Sequence, residues 1–290
     1  MSTVATGQRY KFIDLLKVIL TVGIVFRHAS LVGLSERSDA FDLFSLIVES
    51  VTEVCVPLFF ILSGFLYFRN VPARPDANYF WGKTRKRVMS LLVPYLIANA
   101  VAFACYWLAH RFAPGMLSGY FGDDWRNPLF VFWTGPVNMS LWFIRDLIIA
   151  CIMAPLIYLF VRYTRIWGVL ALGVVWFTVG GAPWYNFFFT FGAWAAVCQG
   201  EASDKFLGRI RCNVPADAAA WCFFIYLYHY IPVITVKKVL GSVLDPHSFP
   251  ALLGTYLATA LLTLGLVTGI YWLLKKIAPR LTGVLVGGKI

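Results

Sequence analysis

DLLKVILTVGIVFRH, residues 14–28, reads as the heart of a membrane-crossing helix, yet it carries Asp14, Lys17, Arg27 and His28. A charged side chain at the centre of a bilayer costs about 2.5–3.5 kcal/mol on insertion scales and more by other measures. An α-helix turns by about 100° and rises by about 1.5 Å per residue. Asp14, Lys17, Thr21 and His28 follow one another at spacings of three, four and seven, so they share one narrow stripe. Lys17 and His28 are separated by about 16 Å along the axis, on nearly the same side. Arg27 lies off the stripe near the outer end, where a long side chain reaches the interface. The stripe therefore faces protein or a water-filled cavity, and lipid meets the rest of the helix.

Composition extends this reading to the whole chain. Of 290 residues, 60% are hydrophobic and only 13% charged, about half the share of a soluble domain. Mean hydropathy is +0.73. We expect an all-α polytopic membrane protein, with residues 1–290 forming one integral-membrane domain and membrane lipids as its solvent. The net charge of +11 does not point to nucleic acid, because the cations sit in particular inter-helix segments. The six cysteines fall mostly inside apolar segments without a C-x-x-C pair, so neither a disulfide framework nor a metal site is expected. Asp14 and Lys17 argue against a cleaved signal peptide and for a retained first span.

A span needs about 20 mostly apolar residues. Eight segments qualify: 12–32, 43–68, 88–110, 140–161, 166–182, 184–199, 216–236 and 250–274. The stretch LFVFWTGPVN, 129–138, is apolar but broken by Gly135 and Pro136, as in a re-entrant or interfacial segment. With the N-terminus inside, most lysines and arginines fall on inner segments, including Arg69, Arg74, Lys83, Arg85, Lys86, Arg87, Arg162, Arg165, Lys205 and Arg209. The outer loops hold Arg37, Arg111, Arg126, Lys237 and Lys238. This asymmetry predicts about eight spans with both termini cytoplasmic.

Other spans supply partners for the stripe. Glu49 and Glu53 lie in the second, Arg145 and Asp146 in the fourth, and His229 in the seventh. Laid out by topology, His28, Glu53, Arg145 and His229 share a depth in the outer half, with Lys17 deeper. Convergent ionisable groups at one depth read as a site. The bland alternative pairs Asp14 with Lys17 structurally and binds His28 to a neighbouring backbone. Two chemistries suit the layout: a proton or ion path, or group transfer with a histidine base and cations holding an anionic donor. Elsewhere the bland readings weigh more. Ser63 and Gly64 suit close helix packing, and Trp133, Trp142, Tyr120 and Trp125 suit an interfacial belt. Asp123 and Asp124 read as a solvated pair, and His110 and His247 receive no role.

The motifs themselves resemble the integral-membrane acyltransferases called acyltransferase family 3. FIDLLKVILTVGIVFRHAS resembles the family's first span, with a basic residue, ten positions and a histidine, here Lys17 and His28. VPLFFILSGFLYF (56–68), KRVMSLLVPYLI (86–97), SLWFIRDLIIA (140–150) and FFIYLYHYIPV (223–233) are similar to later signatures, in the family's order. The resemblance implies transfer of an acyl group, usually acetyl, from cytoplasmic acyl-CoA to a hydroxyl of a cell-surface or lipid-linked glycan at a bacterial inner membrane. It implies that His28 is catalytic, as general base. Lys17 and Arg145 join it as an attractor of the donor and a stabiliser of the oxyanion. Asp14, Glu53, Trp142 and His229 become candidate substrate contacts. Lys83, Arg85, Lys86 and Arg87 become candidates for the CoA phosphates, a cluster that plain positive-inside anchoring explains equally well.

The chain also departs from the family. About ten spans are usual there, against the eight read here. The interval 199–215 holds only a polar loop where additional helices are common, Arg87 is followed by Ser90 where a second arginine is frequent, and Glu53 stands where many members carry a base. Two other readings therefore stay open: a proton-coupled transporter, for which no inverted repeat is visible, and a non-catalytic relative that binds a lipid-linked sugar. No oligomeric state is read from the sequence.

Overall fold

A computed structural model describes residues 10–31, 39–72, 74–112, 130–179, 185–210, 212–244 and 248–288. These residues form twelve α-helices with short π and 3₁₀ turns, and no strand. In chain order they are α1 Lys11–His28, α2 Asp39–Glu53, α3 Cys55–Phe68, α4 Ala77–Phe112, α5 Trp142–Ile152 and α6 Ala154–Val179. Then come α7 Thr190–Cys198, α8 Gly200–Arg209, α9 Ala218–Tyr228, α10 Tyr230–Leu244, α11 Phe249–Ile277 and α12 Pro279–Leu285.

Four helical stretches are long and apolar enough to cross a membrane: Asp42–Phe68, Ala77–Phe112, Ala154–Val179 and Phe249–Ile277. A fifth forms if α9 and α10, bent by 59° at His229, count as one broken span. The expected first span is present as α1, but Lys11, Asp14, Lys17 and Arg27 make it too charged for that group. The expected sixth appears as a π turn at Tyr185–Phe189 continued by the short α7. One detail agrees with the sequence reading and one revises it. The helix Ala154–Val179 is interrupted at Arg165 (φ 53°), within the inner turn placed between the fourth and fifth spans. The seventh span does not end at residue 236: α10 continues to Leu244, so Lys237 and Lys238 are helical residues and not loop cations.

The chain divides into two compact units, and the divisions fall inside α1, α3, α4, α5 and α9. The first comprises residues 1–18, 56–89 and 146–218. Within it α3 and α7 approach each other closely. A Cβ on Gly64 would collide with the carbonyl oxygen of Phe189, and one on Gly192 with that of Ile61. Small residues here let two backbones meet, the usual means of packing helices where no hydrophobic effect separates them from lipid. Tyr67, Phe68 and Phe189 close the crossing with ring centroids 5.0–6.3 Å apart. Tyr10, Ile13 and Phe65 form a core with Leu62, Ala195 and Leu207.

The second unit comprises residues 19–55, 90–145 and 219–290. One core joins Ala29, Leu31, Tyr230, Val233, Leu252 and Tyr256; another joins Val25, Phe224, Ile225, Val267, Tyr271 and Val286. Helix α11 buries Leu252, Thr255, Tyr256, Thr259, Ala260, Thr263 and Val267 on one face. The Thr255 and Thr259 hydroxyls satisfy themselves on carbonyls one turn back. The opposite face exposes Leu261, Leu262, Leu266 and Leu273. Helix α2 likewise exposes Leu43, Leu46, Ile47 and Val51 at helical spacing. Contiguous apolar faces of this kind belong against lipid. In α4, Pro94 cannot donate to the Ser90 carbonyl, and Gly287 (φ 65°) packs there so closely that a Cβ would strike that oxygen.

Candidate functional site

In the second unit, α1 ends at His28 and α9 ends just before His229. The two imidazole rings lie 5.2 Å apart, centroid to centroid, tilted by 45°. Tyr230 stands edge-on to His28 at 5.4 Å. His28 is partly exposed, whereas His229 is fully buried. His229 Nδ1 sits 3.0 Å from the Ile225 carbonyl oxygen and 2.9 Å from that of Tyr226. The bend between α9 and α10 at this residue leaves the ring to serve the preceding turn. Nε2 of His229 has no partner among the described residues. A buried polar atom left in that state costs about 1–3 kcal/mol.

Charged side chains surround this end of α1. Arg27 Nη1 lies 3.4 Å from Glu49 Oε2. Ser30 donates its hydroxyl to Glu49 Oε1 at 3.2 Å, and Lys237 donates from Nζ to the Ser30 carbonyl at 2.9 Å. Lys237 is buried. Sequence reasoning missed it by ending the span one residue early; its place eight residues after His229 in a continuing apolar pattern was the available signal. Arg27, expected to escape to the interface, is held by Glu49 across the gap between α1 and α2. The acid that reaches α1 is thus Glu49, while Glu53 is exposed.

The turn before α5 is tied to α9. Asn138 donates to the Leu227 carbonyl at 2.8 Å, Ser140 donates to Asn138 Oδ1 at 2.6 Å, and the Tyr226 hydroxyl donates to the Ser140 carbonyl. All three polar contacts are buried, which fixes the residues next to His229. Asn138 and Ser140 were not singled out from sequence. Arg145 turns its Nη1 to the carbonyls of Trp133 and Thr134, at 3.2 and 3.1 Å. It thereby caps the π turn Phe130–Thr134, inside the apolar stretch that was read as re-entrant or interfacial. Trp142 begins α5, partly buried.

In the first unit, Lys17 pairs with Asp14 at 3.1 Å on the same face of α1, and Asp14 is buried. This is the structural pairing that sequence alone left as one option. The basic run 83–87 divides. Lys83 turns inward to donate to the Tyr79 hydroxyl at 2.9 Å, with the Tyr67 and Tyr79 rings 5.2 and 5.3 Å away. Arg87 is partly buried, and Arg85 and Lys86 are exposed. Nearby, Arg69 donates to the Tyr10 hydroxyl at 2.8 Å and lies 3.4 Å from Asp204. Burial first, then hydrogen bonding to Asp204, push the Tyr10 phenol up to about 12 against the pull of Arg69. It stays a neutral donor at physiological pH. Tyr120, Asp123, Asp124, Trp125 and His247 lie outside the described residues. Among those described, no group of three or more metal-ligating side chains gathers.

With His28 on α1, a family model described as an acyltransferase domain matches residues 10–200. The chain belongs to acyltransferase family 3. Within this family frame, His28, Lys17 and the run 83–87 lie in the matched region, while His229 and Lys237 lie beyond it. A curated relative, the succinoglycan biosynthesis protein ExoH of Rhizobium meliloti (strain 1021), is 30% identical over 169 residues. That alignment covers 53% of this chain and 44% of the relative, so the chain matches less than half of that protein's length. No solved structure matches.

Proposed function

We propose that this acyltransferase-family chain moves a short acyl group, acetyl in the first instance, from cytoplasmic acyl-CoA to a hydroxyl of a cell-surface or lipid-linked glycan in a bacterial inner membrane. The observation that carries the reading is His28. It closes the polar stripe of α1, stays partly exposed, and is packed against a second imidazole inside an apolar protein. Membership of the family and similarity to a protein named for succinoglycan biosynthesis support the acyl and glycan parts.

The chemistry asks little beyond what these side chains supply. An unprotonated nitrogen of His28 takes the proton of the acceptor hydroxyl as its oxygen attacks the thioester carbonyl. The new C–O bond forms, the C–S bond breaks, and the proton passes to the departing CoA sulfur. The oxyanion formed between these events needs donors in a dry site; Arg145 is the candidate cation, though two backbone carbonyls already engage it. On the donor side, the exposed Arg85 and Lys86 are better placed for CoA phosphates than Lys83, which the tyrosines hold. Lys17 reaches the donor only by leaving Asp14 or by acting together with it.

The test is acetyl-CoA consumption by the purified chain in nanodiscs, with glycan acceptors and lipid extract present, for wild type and His28→Ala. We expect turnover in the wild type and a loss of about 10²–10⁴-fold in the variant, the range of a positioned acid–base group. Full turnover in His28→Ala removes the role given to that residue. Ion flux in proteoliposomes that is indifferent to acyl-CoA replaces the reading with a transporter. Acetyl-CoA left untouched while a lipid-linked sugar binds replaces it with a non-catalytic relative.

A further inference from the structure

His229 has two ring nitrogens with different fates. Nδ1 faces the carbonyl oxygens of Ile225 and Tyr226. A carbonyl oxygen only accepts, so Nδ1 is the nitrogen that carries hydrogen. In the neutral ring Nε2 is then left as a bare acceptor, and it is buried without a donor among the described residues. The tautomer is set by backbone geometry, and the acceptor points into protein that water does not reach.

The ring of His28 is its neighbour, tilted by 45°. Two imidazoles joined by one N–H···N hydrogen bond of about 2.9–3.0 Å have ring centres about 5.2 Å apart, since each nitrogen stands about 1.1–1.2 Å from its own centre. The observed separation is 5.2 Å. At this separation one N–H···N bond spans the two rings once a nitrogen of each lies on the line between the centres. We propose that His229 is the positioning partner of His28: its Nε2 accepts the N–H of the first-helix imidazole and leaves the opposite nitrogen of His28 bare for the acceptor's proton. When His28 takes that proton it becomes an imidazolium, and the same hydrogen bond disperses the charge. This rests on the reading of His28 as the base and adds the residue that orients it.

The competing role for His229 is structural, a cap on the turn that the bend opens. Two substitutions separate the roles. The amide nitrogen of asparagine falls near the place of Nδ1, so His229→Asn keeps a donor for the carbonyls and loses the acceptor. The glutamine amide falls near the place of Nε2, so His229→Gln keeps an acceptor for His28 and loses the cap.

The experiment is nitrogen-15 NMR of the full chain in nanodiscs, labelled at histidine. The sequence contains only four histidines, so each is assigned by single substitution. We expect a scalar coupling between a protonated nitrogen of His28 and the bare Nε2 of His229, with no acyl-CoA present. In His229→Asn the coupling disappears, His28 becomes a mixture of tautomers, and thermal unfolding is unchanged. In turnover, kcat falls by about tenfold or more in His229→Asn, with the KM for acetyl-CoA unchanged, and His229→Gln recovers part of it. Absence of the coupling in the wild-type protein overturns the proposal, whether or not the variants fold. So does a reversed order, with His229→Asn active and His229→Gln unstable, which marks a cap alone. A coupling that persists in a protein without acyl transfer keeps the pair and removes the enzymatic reading.

Discussion

Lys237 shows how one side chain redraws a site. From sequence it looked like a loop cation just past a span, because Lys-Lys interrupts the apolar run. In the structure its stem is buried in α10 and its ammonium holds the Ser30 carbonyl, two residues beyond His28. Ser30 in turn holds Glu49, which faces Arg27. Replacing Lys237 with methionine keeps the stem and strands the carbonyl. We expect a loss of about 1–3 kcal/mol in stability, read as a lower thermal unfolding midpoint in nanodiscs. Lys237→Arg restores part of it, because a donor remains. An unchanged midpoint in Lys237→Met shows that water replaces the ammonium. The residues that were legible from sequence were the ones whose type is costly in a membrane wherever it stands, such as Asp14, Lys17, His28 and His229. Asn138, Ser140 and Tyr226 are ordinary in type, and only their mutual contacts mark them.

At the scale of elements, apolar length and loop chemistry placed the long helices well, since both follow from solvating a backbone in lipid. The breaks were harder to read. The bend at His229 falls inside an apolar run, where hydropathy and length do not mark a change of axis. The α3–α7 crossing was half legible: SGF suggested close packing, but its partner could not be named. The structure supplies it as Gly192. This makes a sharp contrast among glycines. Alanine in a helix is favoured over glycine by about 1 kcal/mol where space allows. Gly269→Ala, on α11 with open space around the new Cβ, should leave unfolding unchanged or raise its midpoint. Gly64→Ala and Gly192→Ala must separate two backbones and should lower it, with overpacking costs of about 1–3 kcal/mol each. If all three variants unfold alike, α3 and α7 do not meet at these glycines in the membrane.

For the whole molecule, the decisive matter is which side of the bilayer each segment faces, because donor and acceptor arrive from opposite sides in the proposed reaction. Charge asymmetry puts residues 199–215 inside and the stretch before α11 outside. That assignment requires α9 and α10 to cross as one broken span. A 59° bend also suits a re-entrant loop, which would return the chain to the side it left. Lys237 and Lys238 give the outer end of this span more positive charge than the rule favours, but Lys237 is buried and bonded to Ser30. Its charge answers to the protein and not to the leaflet, so it is a weak vote on orientation. The question is settled by single cysteines placed on a background lacking the six native ones, labelled in intact spheroplasts by a maleimide that does not cross membranes. Asp76→Cys and Ser203→Cys, both on predicted inner segments, should stay unlabelled until the cells are opened, and Ser248→Cys should label at once. If Ser203→Cys and Ser248→Cys behave alike, α9 and α10 do not cross. His229 would then lie at the tip of a re-entrant hairpin, and the imidazole pair would have to serve an acceptor entering from the cytoplasmic side.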